Sequence, residues 1–287
     1  MATNRKKEIK LLEKYFLRRP EVLIAFLFGS QAKSGSGKIS DWDIAAYFTP
    51  KDKHSQTEWE ETSKLYPCEN KIWNDLVDIL KTDNVDLVVL NRAPANIADS
   101  ALRGTPLVIK DRSLFLDYLL RIKREAEDYR QFVDDYYEIL QRSSSLSPED
   151  KERLKKIISF LEEEMTLYNY FSSFAFGDYQ DIHKRHEVER WVENLLNSAI
   201  DIGEIILASE KKKIPDYYKD VFIQLGSLSV FKQMNVEKFT GWVKLRNILA
   251  YEYLDIKWRG ISDFVKDSNL DFKKFLTSAK KFLTSPP

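Results

Sequence analysis

Phe28 to Tyr47 reads FGSQAKSGSGKISDWDIAAY, and the fold follows from how this stretch is read. The apolar run VLIAFLF (Val22 to Phe28) leads into Gly29-Ser30, and a polar connection rich in Ser, Gly and Lys follows. That connection ends at Ser40-Asp41-Trp42-Asp43 and gives way to a second apolar run. Successive strand side chains point to opposite faces, so Asp41 and Asp43 project from the same face. Two neighbouring carboxylates repel each other and raise one another's pKa unless a cation lies between them. Hard divalent cations such as Mg²⁺ relieve that repulsion, and they commonly arrive with a phosphate. Gly29 lets backbone amides approach a phosphate and Ser30 offers a hydroxyl. The stretch therefore reads as a phosphate cradle joined to half a metal site.

Outward from this centre, strands and helices alternate. Glu8 to Phe16 has helical spacing. Val22 to Phe28 is a short continuous apolar run, the pattern of a buried strand, and Trp42 to Phe48 is a second strand. Gln56 to Leu80 is mostly helical with an interruption near Pro67, and Val85 to Leu90 is a third strand. Ala95 to Arg103 is a short helix with Gly104 at its C-terminal end. Pro106 to Ile109 is a fourth strand, at an edge. An α/β domain with a mixed sheet and flanking helices is thus expected over residues 1–112. From Ser113 the pattern becomes all-helical, and residues 113–287 read as a helical bundle. A long helix covers Leu114 to Arg142. Ser147 caps the next helix, with Pro148 at its first position. Further helices are expected at Lys151 to Phe171, Glu187 to Ser209, Asp216 to Gly226, Val236 to Leu254 and Asp271 to Leu283. No flexible linker separates the two parts.

Composition narrows the function classes. Among 287 residues, Lys+Arg and Asp+Glu balance at 45 each, so no whole-protein charge draws the chain to nucleic acid or anionic membrane. The single cysteine, Cys68, excludes an intrachain disulfide and a cysteine-rich metal site. The basic start, MATNRKKEIK, lacks an apolar segment behind it, and no apolar run approaches bilayer length. These features fit a soluble cytoplasmic protein with no membrane partner.

Ten residues separate Ser30 from Asp41, and a third carboxylate is expected on a neighbouring strand. Asp86 is the candidate and Asp83 the alternative. The competing reading of Asp86 is a strand-entry aspartate facing water. This arrangement resembles the minimal nucleotidyltransferases of the DNA polymerase β-like superfamily, whose hallmark is hG-S-x(10)-D-x-D followed by a third acid. VDLVVLNRAP and ALRGTPLVIKD also resemble the end of that domain. The resemblance implies ATP as substrate, bound with two Mg²⁺ ions. Asp41, Asp43 and Asp86 would be the catalytic metal ligands, with Asp86 helping to deprotonate the attacking hydroxyl. Gly29 and Ser30 would hold the β/γ phosphates while AMP transfers to an acceptor by two-metal chemistry.

In the helical part the informative stretch is LRNILAYEYLDI, Leu245 to Ile256. On an ideal helix Arg246, Ala250 and Tyr253 share a face, and Tyr251 lies roughly 140° away from Arg246. Spacing alone favours a buried tyrosine and an arginine paired with Glu252 or Asp255. His186 to Phe282 nevertheless resembles the HEPN ribonuclease toxins (HepT-like) that accompany minimal nucleotidyltransferase antitoxins. Those carry R-x(4)-H-x-Y. Here Arg246 and Tyr253 are kept and Tyr251 replaces the histidine. A tyrosine with pKa near 10 is a poor base at neutral pH, so the ribonuclease half is expected to be inactive. The resemblance implies a homo-oligomer in which AMP passes to Tyr253 of its own or a partner HEPN domain, with Tyr251 as a second candidate acceptor and RNA or tRNA as a further partner. Two alternatives stand beside it: adenylyl transfer to a small molecule such as an aminoglycoside, and a non-catalytic RNA-binding or regulatory HEPN module.

Other features read as structural. His183 and His186 make a weak metal signal and are expected at the surface, and His54 lies in a loop. Lys211 to Lys213 ends a helix, where positive charge suits the dipole. Glu162 to Glu164 is a solvated face, and Trp191, Phe231, Phe239 and Trp242 belong to the bundle core.

Overall fold

The computed structural model describes residues 2–32, 41–49, 66–142, 146–251 and 258–284. They divide into two compact units, Met1–Arg130 and Gln131–Pro287. The first runs α1 (Ala2–Leu17), β1 (Val22–Phe28), α2 (Gly29–Ala32), β2 (Trp42–Phe48), α3 (Glu69–Leu80), β3 (Val85–Val89), α4 (Ala95–Leu102) and β4 (Thr105–Ile109), and then enters α5 (Arg112–Leu140). The division between units falls inside α5, so a continuous helix stands where a linker would otherwise be.

The four strands form a mixed sheet in the order β3-β2-β1-β4. β1 is antiparallel to both β2 and β4, and β2 is parallel to β3. β1 and β2 are apolar over nearly their whole length because both faces of the sheet are covered. On one face Leu27, Ile44, Ala46 and Val89 join Leu12 and Phe16 of α1 and Ile72 and Leu76 of α3. On the other, Phe26, Phe28, Ala45 and Tyr47 join Ala98 and Leu102 of α4 and Tyr118 and Ile122 of α5. The Tyr118 hydroxyl donates to the carbonyl of Leu90 (2.8 Å), and Trp73 Nε1 donates to that of Val85 (2.8 Å), which ties α5 and α3 to the ends of β3. β4 is an edge strand, as its proline-led sequence suggests.

Gly104 corrects the sequence reading. Only Gly29 among the described glycines has positive φ, so Gly104 is not a left-handed helix end. A Cβ there would run into the backbone carbonyl of Leu27, and close approach to β1 is what requires glycine.

The second unit continues from α5 through α6 (Pro148–Thr166), α7 (Tyr168–Ser172), α8 (Phe176–Gln180), α9 (Ile182–Ser209), α10 (Tyr218–Gly226), α11 (Val236–Tyr251), α12 (Trp258–Asp267) and α13 (Asn269–Thr284). α9 packs against α6, α8, α10, α11 and α12. Its second half is buried almost all round, as expected of a helix at the centre of a bundle. Phe222, Phe239, Phe272 and Phe275 form an aromatic core, with Trp242 against Phe239 and Phe272. Ser147 caps α6 by accepting from the Asp150 amide (3.1 Å), and Pro148 opens the helix. Lys211 does follow α9, but its ammonium serves another helix. It donates to the carbonyls of Leu140 (2.8 Å) and Arg142 (2.7 Å) at the end of α5. The short elements α2, α8, α12 and the 3-10 turn Ser229–Phe231 escaped the sequence reading, and its single helix from Lys151 to Phe171 is two, α6 and α7.

Candidate functional site

β2 pairs with β3 so that Asp43 and Asp86 lie directly opposite each other. Neighbouring strands are about 4.8 Å apart, so two carboxylates share one short interval on the same face. That face is the one bearing Ala45, Tyr47 and Phe28. Asp41, exposed just ahead of β2, precedes Asp43 by one pleat. Burial pushes the Asp43 carboxyl up from its ordinary value, and the charges of Asp86 and Asp41 push it further the same way. No Lys or Arg among the described residues forms an ion pair with any of the three.

Gly29, expected from the sequence to cradle a phosphate, lies against Asp43. β1 and β2 pair Phe28 with Asp43, so Gly29 leaves the sheet beside the carboxylate. Gly29 has φ +67°, and a Cβ on it would lie only 2.7 Å from Asp43 Cγ. Left-handed backbone and missing side chain are both needed here. Ser30 follows, exposed, in α2. Gly29, Ser30, Asp41, Asp43 and Asp86 are therefore gathered at one end of the sheet.

The donor set is all carboxylate and hydroxyl oxygen, which suits Mg²⁺. No ready-made cage of three or more His, Cys, Asp and Glu exists among the described residues. That fits an ion which takes one or two carboxylates from protein and the remainder of its shell from water and substrate phosphate.

In the second unit the arginine and tyrosine of the degenerate motif meet. Arg246 Nη1 donates to the Tyr251 hydroxyl (2.7 Å), and Arg246 Nε donates to Asn197 Oδ1 of α9 (2.8 Å). The guanidinium lies 4.8 Å from the Tyr218 ring centroid and 5.3 Å from that of Tyr251. Arg246 is 7% exposed and Tyr251 9%. The helical-wheel expectation that separated these two side chains is corrected. A long arginine spans the angle between helix positions, and the phenol comes back to meet it. Asn197 and Tyr218 have no sequence signal linking them to Arg246, because only tertiary packing brings α9 and α10 to α11. Tyr253, Glu252 and Asp255 lie outside the described residues, as do His54 and residues 50–65.

The remaining candidates are structural. His183 and His186 are exposed near the start of α9, where Asp181 caps the helix through the His183 and Lys184 amides. Glu162 pairs with Lys280, and Glu164 accepts from Asn194 (3.2 Å). No helix among the described residues is long and apolar enough to cross a membrane.

Comparison with known families agrees with both halves of this geometry. The family described as "Polymerase beta, Nucleotidyltransferase" matches residues 10–113, and "Ribonuclease HepT-like" matches residues 161–279. No curated protein and no solved structure matched the chain. The first match contains the whole acid and glycine cluster, and the second contains Arg246 and its partners. The chain thus joins a nucleotidyltransferase domain of the polymerase beta family to a HepT-like helical domain.

Proposed function

We propose that this nucleotidyltransferase moves AMP from ATP, with Mg²⁺, to Tyr253 of the HepT-like domain in its own or a partner chain. The system would be of the toxin–antitoxin type, with the ribonuclease half inactive. The observation that carries the transfer reading is the Asp43–Asp86 register with Gly29 lodged against Asp43. Asp41, Asp43 and Asp86 would hold the divalent ions, since crowded carboxylates with no cationic partner among the described residues are relieved by a cation. Bound there, the ions supply Lewis-acid activation of the α-phosphoryl group and of the attacking hydroxyl. Gly29 leaves room for phosphate oxygens against the backbone, and the exposed Ser30 hydroxyl donates to them. Asp86, exposed on the edge strand, accepts the proton of the acceptor hydroxyl. A bond forms between that oxygen and the α-phosphorus, and the bond to the leaving pyrophosphate breaks.

Two observations support Tyr253 and an inactive ribonuclease half. The Tyr251 hydroxyl is buried and committed to Arg246, so it is poorly placed to attack a nucleotide. The Arg246 guanidinium is enclosed between two tyrosine rings and bonded to Asn197, which withholds it from an RNA phosphate. Tyrosine at position 251 also lacks a ring nitrogen that titrates near neutrality.

The test is intact mass after incubation with ATP and Mg²⁺, followed by peptide mapping. Whole AMP units are expected on the wild-type chain, lost in Tyr253→Phe and in the Asp41→Asn plus Asp43→Asn variant. Label that survives the double aspartate change overturns the reading. Pyrophosphate release driven by an added aminoglycoside, without protein labelling, transfers it to a small-molecule acceptor. RNA cleavage by the purified chain overturns the inactive ribonuclease half.

A further inference from the structure

Strand register defines a row of residues across one end of the sheet. Asp86 faces Asp43, Asp43 faces Phe28, and Leu27 faces Thr105. Gly29, following Phe28, therefore sits between the acids on one side and the start of β4 on the other. Gly104 presses against Leu27 immediately before Thr105, and Arg103 precedes it at the end of α4. α4 covers the same sheet face as Asp43, through Ala98, Ala101 and Leu102. The backbone of Arg103 therefore stands beside the end of β1, about two strand spacings from the strand of Asp43, while its guanidinium turns back one helical turn to Asp99.

Arg103 is not alone. Asp99, one turn earlier and 5% exposed, pairs with Arg103 and with Lys123 Nζ of α5 (2.6 Å). Burial by itself would raise the Asp99 carboxyl, but hydrogen bonds and charge from Lys123 and Arg103 more than offset it and hold the carboxyl below its ordinary range. One buried anion therefore fixes two cations whose side chains stay 60% and 46% exposed. The three groups carry one net positive charge, turned toward solvent.

The charge balance at the site calls for such a group. Three carboxylates and a nucleoside triphosphate bring roughly seven negative charges, and two divalent ions offset only about four. More negative charge accumulates on the β and γ phosphates as pyrophosphate leaves. A triphosphate lying from the acids across Gly29-Ser30 would extend its outer phosphates toward the end of α4. We propose that Arg103 and Lys123, held by Asp99, form the cationic clamp for the β and γ phosphates of the nucleotide. The clamp rests on the nucleotidyl-transfer reading above. Lys123 lies beyond the matched segment 10–113, so the clamp is a property of this chain rather than of the matched domain alone.

Titration of the full chain with ATP and, separately, with AMP in the presence of Mg²⁺ tests it. Arg103→Ala and Lys123→Ala are each expected to weaken ATP binding by roughly tenfold, as for loss of a charged hydrogen bond. AMP binding should stay unchanged, while the unfolding midpoint without nucleotide should fall modestly in each variant, because the buried Asp99 loses one of its two counter-charges. Unchanged ATP affinity in both variants, or an equal loss for ATP and AMP, overturns the clamp and leaves nucleotide transfer standing. Wild-type protein that binds neither nucleotide overturns nucleotide transfer, and the clamp with it.

Discussion

At the residue scale, Gly29 and Asp43 are set by each other: the carboxylate occupies the space that any Cβ on Gly29 would need. Sequence spacing could pair a glycine-serine turn with an Asp-x-Asp run, but only register shows them in contact. The same scale holds a group that no motif announces. Glu204 of α9 is 3% exposed, and its Oε1 has no hydrogen-bond partner among the described residues. Burial, then the charge of Asp201, pushes its carboxyl up to about 8, against a smaller lowering by Arg153 and a further raising by Asp135. The folded value lies above the ordinary 4.5, so the folded chain holds the extra proton between those two limits. Its contribution to stability is fully present below about pH 4.5 and is lost as pH rises through about 8. Glu204→Gln keeps the neutral shape at every pH. Urea unfolding should find the variant close to wild type at the acidic end. It should be more stable than wild type above pH 8, with a differential slope on the order of 1 kcal/mol per pH unit at most. A wild-type–variant difference that is constant across pH would show that Glu204 does not hold the extra proton.

At the scale of elements, legibility followed contiguity. β1 is an unbroken apolar run, β2 and β3 are apolar but for one aspartate each, and the sequence places all three to within a residue of where they form. The α6 start was equally plain because Ser147 and Pro148 act locally. α8 and α12 were not, for different reasons. α8 is five residues around Gly177, too short to show a period. α12 carries Ile261, Phe264 and Val265 on one face, but it begins beside Gly260 and stops at Ser268, where α13 takes over almost without a gap. Backbone bonds from Ser268 to Phe264 and from Phe272 to Ser268 carry the chain across that junction. The Ser147 cap can be priced by mutation. Ser147→Ala removes the acceptor of the Asp150 amide and should cost about 1 kcal/mol in equilibrium unfolding. Ser147→Asp restores a capping oxygen and should recover most of it. A neutral Ser147→Ala would mean that the Arg142–Asp150 pair alone holds the start of α6.

At the scale of the whole molecule, each unit holds a complete structural story of its own. The acids, the glycine turn and the Asp99 trio all belong to the first unit, and Arg246 with Asn197, Tyr218 and Tyr251 belongs to the second. Sequence motifs exposed the acid cluster because four of its five residues are near neighbours in the chain. Asp86 became legible only through the expectation of a neighbouring strand, and the Arg246 surroundings stayed hidden because no local pattern links Arg246 to Asn197 of α9 or Tyr218 of α10. The separation has a measurable consequence. A nucleotide that binds only the folded first unit stabilises it by RT ln(1 + [L]/Kd), about 2.7 kcal/mol at a hundredfold excess over Kd. Amide exchange reports such stabilisation locally, unit by unit, because openings are cooperative within compact regions. Mg²⁺ and a non-hydrolysable ATP analogue should therefore slow exchange in β1, α2, β2 and β3. Amides of α9, α10 and α11 should exchange as before. Asp41→Asn plus Asp43→Asn should abolish the protection in the first unit. Protection confined to α9–α11 would place the nucleotide beside Arg246 instead, and the acid pair would then be without a substrate.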